Sequence, residues 1–280
     1  MSDYRRESRV RWAGTAAGWE ANADAMRRAS MPVSTWMVEA IGPQPGHTVL
    51  ELAAGPGDTG FLAAELIEPG GELICSDFVP EMLSAAQRRA EALGLRNVRF
   101  RQIDAELNME LPAGSLDGVL CRWGYMLMAD PEAALRETRR VLRPGGRVAL
   151  AAWTGPEDNR WSAEPVAVLT ERGLLEPGDP SAPGQFAWAR EGAIVEHLDA
   201  AGFLDPEVEQ VGFVNHYDSV QEWWDTQTRL SQRVADVAAA LDPATRADVL
   251  AELARRGAEF MRDDGPLDIP ARTWVAAAGA

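Results

Sequence analysis

From residue 48 onward, short apolar runs alternate with stretches whose apolar positions recur every three to four residues. These are the two periods of buried strands and amphipathic helices. Residues 48–53 predict a first strand and 59–67 its helix. Residues 72–76 predict a second strand ending at Asp77, followed by a helix over 80–93 with Pro80 in its first turn and Gly94 at its end. A third strand over 98–103 ends at Asp104, and a fourth covers 117–121. A helix over 131–142 stops at Arg143-Pro144-Gly145-Gly146 before a fifth strand at 147–152. Strands that read as continuous apolar runs, each followed by a helix or crossover, imply a parallel sheet covered on both faces.

The flanks read differently. Residues 1 to about 42 lack strand signals and predict two or three helices, anchored by Trp12, Trp19 and Trp36. Past Trp153 the alternation breaks into a Pro-, Gly- and Trp-rich stretch to residue 190, with a short helix near 164–172. A helix over 191–201, a strand over 206–214, a helical region over 219–262 and a last strand over 272–278 follow. No internal repeat or low-complexity linker divides the chain. The expected organisation is a helical segment at 1–45, a ligand-binding α/β core at 46–153, and a remainder at 154–280 that completes the sheet and adds lid helices.

Composition narrows the function. Hydrophobic residues make up 46% and charged residues 25%, as in water-soluble globular domains, and 280 residues bury a sizeable core. No run is long enough to span a membrane, and Met1-Ser2-Asp3-Tyr4-Arg5-Arg6 carries no apolar secretion region, so a cytoplasmic location is expected. The 27 basic and 43 acidic residues leave a net charge of −16, which disfavours nucleic acid as partner. Every basic residue is Arg. The absence of Lys excludes a Walker-type phosphate loop, a Schiff-base lysine and a Tyr-x-x-x-Lys pair. The Arg136, Arg139, Arg140 and Arg143 cluster has helical spacing and reads as a solvated face. Cys75 and Cys121 fall in strands that flank a third, beyond disulfide reach, and no Cys/His cluster offers a metal site.

The candidate chemistry lies where the first strand meets its helix. Gly55, Gly57 and Gly60 fit G-x-G-x-x-G, a turn in which backbone approaches a ligand closely. Asp58 stands where helix amides would receive a pyrophosphate, and Glu51 lies just upstream. Two carboxylates there repel phosphate and suit a cationic ligand; S-adenosylmethionine carries a sulfonium, an ammonium and no phosphate. Asp117, at the opposite end of its strand, reads as structural.

The motifs Leu50-Glu-Leu-Ala-Ala-Gly-Pro-Gly-Asp58, Ser76-Asp-Phe-Val-Pro-Glu-Met-Leu83, Gln102-Ile-Asp-Ala-Glu106 and Glu137-Thr-Arg-Arg-Val-Leu-Arg-Pro-Gly-Gly146 follow one another in a known order. In that order the chain resembles class I S-adenosylmethionine-dependent methyltransferases, nearest to the ubiquinone/menaquinone-biosynthesis C-methyltransferase (type 11) branch. The resemblance implies a Rossmann-like seven-stranded sheet, its last strand antiparallel, completed by segments near Val208 and Trp274. It departs at Ala53, where many members have the first glycine of the turn. It implies that Asp77 accepts both ribose hydroxyls, that Phe78 or Met82 lies against adenine, and that Asp104 accepts the adenine amino group beside the Ala105 amide. Gly55 and Gly57 would admit the methionine portion, Glu51 would attract its ammonium, and Arg122 would sit beside the crevice where members place backbone contacts.

The implied reaction is methyl transfer to a small organic acceptor, at an O or C atom. Ten tryptophans, many outside the sheet, suggest an aromatic lid over an apolar or aromatic acceptor. The expected pocket comprises Tyr125, Met126 and Met128, then Trp153, Arg160 and Trp161, then Trp223 and Trp224. His216 and, next, Tyr217 are the candidate general bases. Two alternatives stay open: a nicotinamide-dependent oxidoreductase on the same glycine turn, and a non-catalytic member that binds cofactor.

Overall fold

The computed structural model describes residues 3–280; Met1 and Ser2, which open the polar start noted above, lie outside the described residues. A helix α1 spans Asp3–Ile41. Then come β1 (Thr48–Glu51), α2 (Thr59–Leu66), β2 (Glu72–Asp77), α3 (Pro80–Leu93), β3 (Val98–Gln102), β4 (Leu116–Arg122), α4 (Pro131–Val141) and β5 (Leu142–Trp153). The remainder is α5 (Arg160–Glu171), α6 (Ala193–Ala200), β6 (Leu204–Tyr217), α7 (Val220–Leu230), α8 (Gln232–Ala240), α9 (Pro243–Gly257) and β7 (Leu267–Gly279). The strands form one seven-stranded sheet in the order β3-β2-β1-β4-β5-β7-β6. β1 to β5 pair in parallel, while β7 runs antiparallel to both β5 and β6. The order reverses beside β1, so the tips of β1 and β4 part there and leave a crevice at their carboxyl ends.

Local chemistry explains the boundaries. Pro80 starts α3 and Gly94 ends it in the left-handed conformation at φ 73°. Asp130 caps α4 by accepting from the Ala133 amide at 2.8 Å. β1 carries Val49, Leu50 and Glu51 fully enclosed between the sheet's two helical layers. Cys75 and Cys121 are buried free thiols on β2 and β4, either side of β1. Asp117 accepts from the Thr48 amide and from Arg143 Nε, both at 2.7 Å, and so ties the bottom of β4 to β1.

One expectation needs correcting. The first 42 residues are not two or three helices but one helix of 39 residues that runs through Pro32. Packing decides this: α1 crosses the molecule against β5, β6, β7, α2, α3 and α7, and those contacts outweigh the hydrogen bond that Pro32 removes. The late helical region is three helices, α7, α8 and α9. Ser219, Ser231 and Asp242 cap them, each accepting a backbone N–H from the turn it starts. No helix among the described residues is long and apolar enough to cross a membrane.

Candidate functional site

A cavity of about 1150 Å³, its open mouth included, lies over the tips of β1 to β4. Its floor is the loop after β1 and its ends are the tips of β2, β3 and β4; its roof is residues 4–26 of α1.

The floor depends on tightly specified backbone. Ala53 is left-handed at φ 51°, a conformation a non-glycine residue rarely takes, and it turns the chain off β1. Gly55, at φ 55°, has open space where a Cβ would stand. Gly57 is set back from the cavity and serves packing instead: a Cβ there would meet the Phe61 ring at 2.4 Å. Gly60 makes room for a carboxylate, because its Cβ would lie 2.5 Å from Glu51 Oε2.

Two buried acids face this floor. Glu51 is 3% exposed, and its Oε2 has no hydrogen-bond partner. Burial pushes its pKa up to about 7, against the pull of the Gly60 amide and of Arg122. Asp77 is 6% exposed and accepts from the Gly55 amide through Oδ2 and from the Val79 amide through Oδ1, both at 2.9 Å. Burial raises it to about 6, with those amides opposing. Each Asp77 oxygen keeps a further lone pair for a ligand hydroxyl. At the β3 tip, Asp104 accepts from Arg5 at 2.6 Å and from the Glu106 amide at 3.1 Å.

Asp58 plays another part than expected. It is buried, and its oxygens meet Arg89 and Arg122, each at 3.0 Å. Its charge is therefore compensated, and it makes no side-chain cap on α2. The negative field of the site comes from Glu51 and Asp77. Arg122 also donates to Ser30 and Ser34 of α1, so one guanidinium joins the loop, β4 and the roof.

The structure thus brings Glu51, Ala53, Gly55, Asp77, Phe78, Met82, Asp104, Ala105 and Arg122 together around one cavity. It does not bring most of the expected acceptor residues there. Tyr125 is buried with its hydroxyl 2.7 Å from Thr138 Oγ1, and Met126 is buried beside it. Trp153 and Trp161 pack together in the core behind Trp123. Trp223 and Trp224 are fully enclosed, and Trp223 donates to the Trp161 carbonyl at 2.6 Å. Arg160 pairs with Glu164 and Glu259 at a separate groove. His216 lies on exposed β6, 2.6 Å from Asp268, and Tyr217 is buried against Trp223. Neither candidate base lines the cavity, because β6 is the sheet's far edge strand.

Met128 does line it, with Trp123, Gly124 and Leu127. Trp123, Gly124 and Leu127 were not expected there, nor were the residues of α1, among them Tyr4, Arg5, Ser8, Trp12, Trp19 and Met26. Trp12, Trp19 and Met26 stand seven residues apart, a spacing that places them on one helical face and was available in the sequence.

Comparisons with known proteins agree with this geometry. Residues 43–167 match the family model described as a methyltransferase domain. The demethylmenaquinone methyltransferase of Thermus thermophilus is 44% identical over 108 residues, 39% of this chain and 48% of that protein. The nocamycin O-methyltransferase of Saccharothrix syringae is 30% identical over 183 residues, 62% of this chain and 65% of that protein. The chain therefore spans about half to two thirds of the length of these curated relatives. The crystal structure of the YcgJ protein from Bacillus subtilis superposes with a TM-score of 0.57 at 22% identity, covering 89% of this chain and 98% of that one.

The likeness to the methyltransferase domain is therefore carried by residues 43–167, and the chain has a Rossmann-like fold. The matched region is similar to ubiquinone/menaquinone-biosynthesis C-methyltransferases and demethylmenaquinone methyltransferases.

Proposed function

We propose that the chain is an S-adenosylmethionine-dependent methyltransferase acting on a small apolar or aromatic acceptor. The observation that carries this reading is the orphaned Glu51 Oε2, buried beside Asp77 over the glycine turn. A buried carboxylate with an unpartnered oxygen costs free energy unless a proton or a cation meets it, and the ammonium of the cofactor's methionine end is such a cation. Asp77 accepts the ribose hydroxyls through its remaining lone pairs, in charge-assisted bonds. Phe78, Met82 and Ile103 offer apolar faces to the base, with Asp104 at its rim.

When bound, S-adenosylmethionine supplies an activated methyl group whose leaving group is a neutral thioether. The protein aligns the acceptor and excludes water, and the roof of Trp12, Trp19 and Met26 suits both tasks. A dinucleotide is disfavoured, because no cationic side chain at the turn is free of an acidic partner: Arg89 and Arg122 are both engaged by Asp58. Isothermal titration with S-adenosylmethionine and with NAD separates the readings. Binding of the first alone is expected; binding of NAD alone sinks the proposal.

A further inference from the structure

We propose that Trp123 is the residue that limits the length of the methyl acceptor, a rigid end wall of the cavity. The inference rests on the methyltransferase reading and extends it to the acceptor. Trp123 follows β4 with φ 59°, the left-handed region that a bulky aromatic residue almost never occupies. Backbone strain of this kind persists where the surroundings over-determine it, and it gathers at ligand sites. Here three contacts hold the ring. Its Nε1–H donates to Thr273 Oγ1 at 2.9 Å. Thr273 commits its own proton to the Ala152 carbonyl at 2.7 Å, so its oxygen can only accept from the indole. Trp153 stacks on the ring at 4.1 Å between centroids, and the Arg122 guanidinium lies 4.7 Å from its centroid.

Other residues that line the cavity are adaptable, among them Met26, Leu127 and Met128. Trp123 is the part that does not yield. Both Trp153 and Phe213 lie against its ring, Phe213 at 6.1 Å between centroids, and Phe213 also lines the separate groove with Val214 and Phe260. Trp123 thus separates the cavity from packed apolar core, so that only removal of its ring opens space for a longer apolar molecule in that direction. A compact ring fits in front of the wall; a chain continuing in its direction is stopped by it.

The test titrates p-cresol, 4-butylphenol and 4-octylphenol onto protein saturated with S-adenosylhomocysteine, for wild type, Trp123→Ala, Trp123→Phe and Thr273→Val. Wild type is expected to lose about tenfold or more in affinity from the cresol to the octylphenol, against the trend of rising apolar area. Trp123→Ala reverses that order. Thr273→Val, which keeps the indole but removes its anchor, narrows the gap, and Trp123→Phe narrows it less than alanine does. Should Trp123→Ala not fold, the Thr273→Val and Trp123→Phe results decide. The same ranking in wild type and variants overturns the proposal, as does a wild type that binds all three phenols alike or no phenol binding by any of these proteins. Wild type that fails to bind S-adenosylhomocysteine instead sinks the methyltransferase reading.

Discussion

The floor and the roof of the cavity are built by opposite means. The floor is local: fewer than thirty residues, from Glu51 to Asp77, supply both buried acids and the turn between them. Its shape comes from left-handed backbone at Ala53 and Gly55 and from amides aimed at Asp77. The roof is remote. Tyr4, Arg5 and Trp12 reach the cavity because α1 docks across the sheet, with Tyr4 donating to the Leu127 carbonyl at 3.0 Å and Arg5 pairing with Asp104. Under the proposed function the floor reads ligand charge, and the roof and the β4 tip read ligand shape. A short motif can specify the first, whereas the second needs the whole fold.

Substitutions can break this division, and the largest effect is expected away from the cavity altogether. Trp223→Ala removes a fully buried ring and orphans the Trp161 carbonyl, so chemical denaturation should show a loss of about 3–5 kcal/mol. Cofactor affinity of the folded protein should be unchanged, since Trp223 does not line the cavity. A large drop in affinity without loss of stability would return Trp223 to the site.

Asp77→Ala comes next. It should weaken S-adenosylmethionine binding by about 1.5–3 kcal/mol, the range for hydrogen bonds to a charged group, and calorimetry reads it directly. An unchanged dissociation constant would remove Asp77 from the ligand.

Glu51→Gln should separate function from stability. The folded-state pKa of Glu51, about 7, lies above its ordinary 4.5, so the folded protein binds the extra proton. Its contribution is complete below about pH 4.5 and is lost as pH rises through 7. Ligand-free wild type should therefore lose stability across that window, whereas the glutamine variant should lack this component. At pH 8 the variant should be more stable than wild type by roughly 1–3 kcal/mol of relieved burial and so melt at a higher temperature, while its affinity for the cationic cofactor falls. In wild type that affinity should itself rise with pH through about 7, as protons cease to compete for the carboxylate. A flat binding profile from pH 5.5 to 8 would contradict the role given to Glu51.

The smallest effect is expected in the roof. Arg5→Ala removes a partly exposed ion pair worth roughly 1 kcal/mol or less. Its signature should be local: faster amide exchange in the first turns of α1, with no change in β1 or β2. Protection unchanged throughout α1 would show that the Arg5–Asp104 pair does not hold the roof down.

These residues also mark how far reading the chain alone could go. Thr48 to Trp153 was legible because alternating apolar runs, glycine turns and acids at strand ends are short-range signals. The cofactor candidates sit at those strand ends, and all but Gly57 line the cavity. The acceptor side misled because an aromatic residue carries the same apolar signal in a lid as in a core. Trp153, Trp161, Trp223 and Trp224 are core. The roof tryptophans were visible as anchors, and their seven-residue spacing as a face, but not what that face would cover.

Composition and pattern suffice for the strand order's rough plan, the glycine turn and the acids beside it, because those depend on backbone sterics and neighbours within a few residues. Burial does the rest. Only the assembled sheet puts Glu51 where no partner reaches its Oε2, sets Asp58 between two arginines, and turns α1 into a roof. Solvent exclusion and contacts between residues distant in the chain come into being with packing, and the electrostatics and shape of the site follow from them.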